Sequence, residues 1–468
     1  MDTPTLSDLA RDLGETRTAL NLVWTLLTGF LVMWMQAGFA LVESGLTRAK
    51  SVAHTMGMNF LVYAIGILGF WSIGFALQMG GVGALSTFGG DNTLSAEYGI
   101  TLGGKAHGLF GMTGFFLNGQ TVTPAVAALF LFQMVFMDTA ATIPTGAMAE
   151  RWKFASFALF SVAMSTIIYP IYANWVWGGG WLSTLGKYFG LGHGHVDFAG
   201  SSVVHMTGGV AAFVGASFLG PRVGKFDRSG NPTAIPGHNI ALAVTGTFVL
   251  AFGWFGFNAG STLAGTDTRI AVVAINTMLA SAAGAVSACC YVWWRFGKPD
   301  VSWMCNGMLA GMVAITAPCA FVGTATAVMI GTVSGFLVVN AAMYFESRMR
   351  IDDPVGAISV HGVNGFWGIV ALGLFADGTY GDGLNGVAGP VRGLFYGDAG
   401  QLYAQLIGSG TNMIYVGAMS AASLYVAERL VGNRVAPADE VDGLDLPEMG
   451  MEGYSAEYRF GDAVITED

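Results

Sequence analysis

The sequence predicts an all-α polytopic membrane protein: eleven transmembrane helices, N-terminus outside and C-terminus inside, in two inverted five-helix repeats plus an eleventh helix. Three observations carry this reading. Of 468 residues, 53% are hydrophobic and 11% charged, against about 25% charged in ordinary soluble chains, and mean hydropathy is +0.57. The apolar residues gather into eleven runs of about the length that crosses a ~30 Å hydrocarbon layer. One pattern occurs twice, as Asp197-x2-Gly200-x3-Val204-His205-x3-Gly209 and as Asp353-x2-Gly356-x3-Val360-His361-x3-Gly365.

The runs fall at roughly 20–43, 56–80, 124–148, 154–177, 198–219, 238–262, 270–295, 302–321, 323–345, 355–376 and 401–428. The first five and the next five form the repeats, about 20–219 and about 238–376. The membrane domain then covers 20–431, after an extracellular segment at 1–19 and before a cytoplasmic tail at 432–468. Residues 1–20 are polar and mildly acidic, with no basic stretch ahead of the first run, so that run reads as a span and not as a cleavable signal. Of the 20 basic residues, the majority fall on one set of loops, among them Arg48, Lys50, Arg151, Arg222, Arg348 and the tail residue Arg459. The positive-inside rule turns that set to the cytoplasm. An odd number of helices per repeat makes the two repeats inverted. Asp197 therefore begins its helix outside and Asp353 begins its helix inside. Eight residues at 1.5 Å rise is about 12 Å, so the two histidines approach the midplane from opposite faces.

The 69 glycines suit close helix packing, and Gly256/Gly260, Gly307/Gly311 and Gly331/Gly335 have GxxxG spacing. Cys289, Cys290, Cys305 and Cys319 lie in or beside apolar runs and form no CxxC pair, so they read as packing residues. The outer loop 81–123, which contains His107, is expected to be ordered over the external mouth. The loop 178–196 holds His193-Gly194-His195; a His-x-His pair can bind metal, but without a Cys or acid cluster it reads as solvated. The net charge of −10 comes with no basic patch, which speaks against nucleic acid.

Ionisable side chains inside spans cost about 2.5–3.5 kcal/mol each and by default mark function. Glu43 and His54 sit near span ends, where snorkelling or capping accounts for them. Asp197 and Asp353 stand at helix starts and read as caps, with a second role for Asp197 at the outer mouth left open. His205 and His361 are not explained that way. Two imidazoles can hydrogen-bond to each other and, with unperturbed pKa near 6.5, pass protons near neutrality. Delivery of one ionisable group to the midplane by each repeat is a transporter pattern. Phe136, Trp175, Trp177, Trp254, Phe255 and Phe257 gather toward the outer halves of spans, beside the small polar group Ser261. An aromatic mouth with a hydroxyl suits a small cation, at roughly 0.5–2 kcal/mol per cation–π contact. Asp138 follows Phe136 by two positions, about 200° around a helix. If Phe136 faces a pore, Asp138 faces a neighbouring helix or subunit, and there it is expected to be hydrogen-bonded, at Thr139, Thr142 or an adjacent helix.

The chain resembles the Amt/MEP/Rh family, and within it the Amt-type ammonium transporters. FLVMWMQAGFALVESGLTRAK (30–50), GAMAER (146–151), VWGGG (176–180), DFAGSSVVH (197–205), FGFNAGS (255–261), NGMLAGMVAITAPC (306–319) and VHGVNG (360–365) carry the likeness in order along nearly the whole chain. The resemblance implies a homotrimer in the cell membrane with one pore per subunit. It makes His205 and His361 the twin pore histidines and Phe136 with Phe257 the stacked gate. It puts Trp177 and Ser261 at the external ammonium site, with Phe136 and Asp197 contributing to recruitment. Ammonium or ammonia is the implied substrate, no cofactor is implied, and GLDLPEMGMEGY (443–454) resembles the tail of members closed from inside by a PII-type signalling protein. Asp138 departs from the family, where a small uncharged residue is expected. The alternative is an ammonium sensor on the same fold; the absence of an output domain after the tail motif argues against it. An intramembrane enzyme would need a nucleophile, metal cluster or cofactor lysine, and no Lys lies within a span.

Overall fold

Residues 5–454 are described by a computed structural model of the chain, so Arg459 and the outermost parts of both terminal segments lie outside the described residues. The main elements are helices: α1 (Leu6–Leu46), α2 (Ala49–Met79), α3 (Pro124–Met148), α4 (Phe154–Trp177), α5 (Ser201–Leu219), α6 (Ile240–Gly260), α7 (Arg269–Phe296), α8 (Val301–Ile315), α9 (Thr324–Met349), α10 (Ile358–Phe375) and α11 (Ala399–Leu430). Among the described residues, nine of these are long and apolar enough to cross a membrane; α8 and α11 fall outside that set, each for a physical reason.

Helix α8 has 15 residues, or about 22 Å at 1.5 Å rise, and the run expected to reach 321 continues as turns. Backbone that leaves a helix at this depth needs other partners. Asn276 Nδ2 donates to the carbonyls of Cys319 (2.9 Å) and Val322 (2.8 Å), and the Ala317 N–H donates to Ser201 Oγ at 2.7 Å. Helix α11 is long, at 32 residues, but buries a polar stripe. Gln401 accepts from the His193 N–H (2.9 Å) and donates to the Gly194 carbonyl (2.8 Å). Gln405 clamps both backbone groups of Val196, at 2.8 and 2.6 Å. The stripe lowers hydropathy because it ties down the loop leading into α5.

Helix α1 begins at Leu6, not near 20. A capping box starts it, with the Asp8 N–H on Thr5 Oγ1 at 3.2 Å and the Thr5 N–H on Asp8 Oδ2 at 3.1 Å, so the polar first residues extend the helix beyond its apolar part. Thr123 Oγ1 similarly caps α3, accepting from the Val126 N–H at 3.2 Å ahead of Pro124 at the first helical position.

Glycine sets the packing distances. A Cβ placed on Gly246 of α6 would lie 2.6 Å from the Gly38 carbonyl oxygen of α1. The GxxxG pairs do the same: a Cβ on Gly311 would lie 2.3 Å from the Ala280 oxygen, one on Gly331 2.2 Å from it, and one on Gly256 2.5 Å from the Thr28 oxygen. These helices touch through backbone, where any side chain would wedge them apart. One face of the bundle carries an antiparallel hairpin of β1 (Glu97–Leu102) and β2 (Lys105–Gly111) and is called the hairpin face. The opposite, tail face carries α12 (Pro437–Asp442) and α13 (Asp445–Met449). There Phe154 N–H donates to Glu448 Oε2 (2.8 Å) and His54 N–H to Asp445 Oδ1 (3.0 Å).

Candidate functional site

Four of the five fixed positions of the repeated motif have a structural account. Its acid caps a helix. Asp197 accepts from the N–H groups of Gly200 (2.8 Å), Ser201 (2.9 Å), Ser202 (2.7 Å) and Val203 (3.0 Å), and from Ser202 Oγ (2.7 Å). Asp353 accepts from Gly356 (3.0 Å) and Ile358 (2.7 Å). Its first glycine turns the chain into the helix with φ of 117° at Gly200 and 82° at Gly356, values that L side chains rarely adopt. Each histidine lies in a π-helical turn, Ser201–Met206 in α5 and Ile358–Val363 in α10; such turns are uncommon and concentrate at functional sites. Its last glycine lets the other copy in. A Cβ on Gly209 would lie 2.2 Å from Gly362 N, and one on Gly365 3.0 Å from Met206 N.

That close crossing brings the imidazoles together. His205 Nδ1 and His361 Nδ1 are 3.2 Å apart, with ring centroids 5.3 Å apart and planes inclined 26°. One proton fits between two facing nitrogens, so one ring donates and the other accepts. The His205 ring lies 5.0 Å from that of Trp254, at 21°, and Trp254 is fixed by its Nε1–H to Thr316 Oγ1 at 3.0 Å. Trp254, grouped by sequence with the outer aromatic residues, is thus a wall of the histidine site.

On the hairpin side of His205 the path is shut by aromatic rings. Phe257 lies 5.3 Å from His205, and Phe136 stacks on Phe257 at 4.1 Å and 24°; both phenylalanines are buried. Beyond them opens a cavity of about 300 Å³, lined by Phe132, Gln133, Phe136, Trp177, Phe198 and Ser261. Trp177 Nε1–H donates to the Asp197 carbonyl at 2.7 Å, which fixes the indole beside Phe136 at 6.0 Å and 77°. Ser261 donates its hydroxyl proton to the Phe257 carbonyl at 2.8 Å, so its lone pairs are what it offers a guest. A π-face and lone pairs suit a small cation with N–H donors. The Asp197 carboxylate, occupied by five donors, acts here by holding α5 and the Trp177 anchor. Phe132, Gln133 and Phe198 were missed by sequence reasoning; only Phe132, one turn before Phe136, carried a periodic signal.

On the tail side, His361 and Phe39 line a small cavity of about 20 Å³, followed by one of about 320 Å³ bordered by Trp303, Asn306, Asp352 and Asp353. Burial alone would raise the Asp352 carboxyl, but hydrogen bonds from Arg222 and the charges of Arg151 and Arg222 hold it down to about 2.

Several ionisable residues differ from expectation. Glu43 and His54 do not reach water at span ends; both are buried, Glu43 because α1 runs on to Leu46 and packs it against Asn59 of α2 and Thr145 of α3, His54 because the tail meets it through Asp445. His193 and His195 are also buried: His193 Nε2 lies 2.8 Å from the Gly389 carbonyl and His195 Nε2 lies 2.9 Å from Ser202 Oγ. Asp138 does face a neighbouring helix, toward Gly66 of α2. The expected hydrogen bonds are missing, however: Oδ1 has no partner among the described residues, Thr139 donates to the Val135 carbonyl, and Thr142 turns to the Asp138 carbonyl and Gln36.

Comparison with known proteins agrees with this architecture. The model of the Ammonium Transporter Family matches residues 23–454. Ammonium transporter Amt2 of Archaeoglobus fulgidus is 47% identical over 438 residues, 93% of this chain and 88% of that one. Ammonium transporter Amt1 of Haloferax mediterranei is 37% identical over 448 residues, covering 93% and 79%. Among solved structures, a Sensor Amt Protein matches with a TM-score of 0.80 at 32% identity, covering 93% of this chain and 99% of that one. Candida albicans Mep2 matches with 0.75 at 27%, covering 90% and 87%. The curated relatives are named as transporters, not enzymes. This multi-pass membrane protein belongs to the Ammonium Transporter Family.

Proposed function

We propose that the protein is an ammonium transporter that recruits ammonium at the hairpin face, deprotonates it, and conducts ammonia past His205 and His361 while the proton moves separately. The observation that carries the reading is the Nδ1–Nδ1 contact of 3.2 Å directly beneath the stacked Phe136 and Phe257. Carrying a bare ammonium ion through such an apolar passage would cost tens of kcal/mol, whereas neutral ammonia avoids that cost. Trp177, Phe136 and the Ser261 lone pairs hold the cation, and Asp197 supports that site by fixing Trp177. The ring contact supports proton movement, since an imidazole that gains a proton at one nitrogen can release one at the other. Potassium has no proton to give up and is rejected despite its similar size. The basic residues on the tail face make that face cytoplasmic, with α8 and α11 completing an eleven-span, inverted-repeat topology in the cell membrane. A homotrimer with one pore per subunit, and a PII-type protein on the tail face, complete the proposal.

The test is the double variant His205→Ala/His361→Ala in proteoliposomes. It should fold and lose selective, proton-coupled ammonium transport; wild-type ammonium current with potassium still rejected would refute the relay. A second reading, an ammonium sensor, draws on the likeness to the Sensor Amt Protein; wild-type protein that binds ammonium but moves none would favour it.

A further inference from the structure

We propose that Glu43 is the proton acceptor on the tail side of the histidine pair, the group through which the proton leaves His361; this rests on the function proposed above. Phe39 and Glu43 are four residues apart on α1 and so share a face. Both line the cavity of about 20 Å³ that His361 also lines, and the Phe39 ring lies 6.0 Å from the His361 ring. That volume holds about one water. His361 commits Nδ1 to His205, which leaves Nε2 as its free nitrogen.

The surroundings of Glu43 suit a carboxyl that changes charge. It is 2% exposed and, among the described residues, has no ion-pair partner. An unpaired carboxylate is costly to bury in its charged form, and among the described residues Glu43 lacks the set of backbone N–H donors that compensates Asp197. Asn59 Nδ2 donates to Oε2 at 2.7 Å. Thr145 Oγ1 lies 2.9 and 2.8 Å from the two carboxylate oxygens and also 2.6 Å from the Thr142 carbonyl. A hydroxyl has one proton to donate. When Glu43 is charged, Thr145 donates to it. When Glu43 is protonated, it donates to Thr145, which turns its own proton to Thr142. Both protonation states are therefore hydrogen-bonded without moving the backbone. The groups facing Glu43 are Asn59 from α2, Thr145 from α3, His361 across the cavity and the acidic Asp353 from the linker before α10.

The transfer balances. The N–H bond at His361 Nε2 breaks and its electron pair stays on nitrogen. The bridging water takes that proton and gives another of its own to a Glu43 oxygen, forming O–H. Neutral Glu43 then releases the proton toward the larger tail-face cavity and is charged again.

The experiment uses the full chain in proteoliposomes, with ammonium chloride jumps as the probe. Two quantities are read together: the evoked current, and the internal pH relative to protein-free vesicles. Glu43→Gln should cut the current tenfold or more while alkalinisation of the lumen by entering ammonia persists. Glu43→Asp should restore part of the current with a displaced pH profile. Current in Glu43→Gln within twofold of wild type, with the same pH profile, would overturn the proposal and leave Glu43 as a polar contact among α1, α2 and α3. Should Glu43→Gln not assemble, an unchanged pH profile in Glu43→Asp overturns it equally. Absence of an ammonium-evoked current in the wild type would instead refute the proton transfer on which the inference rests.

Discussion

Replacing Asp197 by Asn separates its structural role from a direct role in ammonium recruitment. One carboxylate oxygen receives the N–H groups of Gly200 and Ser201, and the other those of Ser202 and Val203 together with Ser202 Oγ. Asparagine supplies one oxygen; its NH2 must then face at least two buried N–H donors. Each buried donor left without an acceptor costs about 1–3 kcal/mol, so Asp197→Asn should destabilise by roughly 2–6 kcal/mol. Asp353 is the internal control, because its two oxygens receive one N–H each. Asp353→Asn strands one donor and should cost about 1–3 kcal/mol. Thermal unfolding in detergent, followed by size exclusion at one heating rate, should rank the variants wild type, Asp353→Asn, Asp197→Asn in falling stability. An Asp197→Asn protein as stable as wild type but several-fold weaker in its ammonium response would refute the capping argument and make the carboxylate a direct partner of the cation.

Trp177→Leu should raise the half-saturating ammonium concentration several-fold, because it removes both the π-face and the anchor to the Asp197 carbonyl; unchanged saturation in Trp177→Leu/Ser261→Ala would take the binding site away from these residues. Gly209→Ala should abolish transport or assembly, since its Cβ would fall 2.2 Å from Gly362 N, whereas Gly362→Ala, whose Cβ would meet nothing nearer than 3.4 Å, should be close to neutral in both assays. The Asp352 carboxyl titrates at about 2 when folded against an ordinary 3.8. A depressed folded value stabilises above the unfolded one, so roughly 2 kcal/mol should be present above pH ~4 and lost as pH falls through 2. Acid unfolding of wild type against Asp352→Asn measures this; identical slopes from pH 4 to 2 would exclude it.

What was legible in the sequence is what local constraint dictates. The acid and the histidine of the motif Asp-x2-Gly-x3-Val-His-x3-Gly could be read because each answers to one physical need, met twice, a cap and a titratable ring; the left-handed turn at its first glycine and the crossing backbone at its last emerge only in the fold. Its meeting point was also legible, since two such helices entering from opposite faces bring their rings to one depth. Nothing local marks the departures. Glu43 and His54 looked wet because their spans end nearby, yet both are buried: Asn59 and Thr145 close over Glu43, and Asp445, 391 residues after His54, reaches that residue's N–H. The run 401–428 reads as a span, but nothing near it in sequence shows that Gln401 and Gln405 tie down the loop before α5, since their partners lie more than 200 residues earlier. Asp138 differs again. Helical periodicity correctly turned it away from Phe136, but a hydroxyl near in sequence is not a partner when its proton is already committed. Thr139 and Thr142 both bond backwards to carbonyls one turn earlier, the usual habit of these residues inside helices. In a bundle this poor in water, a polar side chain is therefore informative less by its own type than by whether its neighbours still have a proton to give. Thr145, with one proton facing both the Glu43 carboxylate and the Thr142 carbonyl, is one place where that count comes out unresolved, and it lies between Glu43 and the rest of α3.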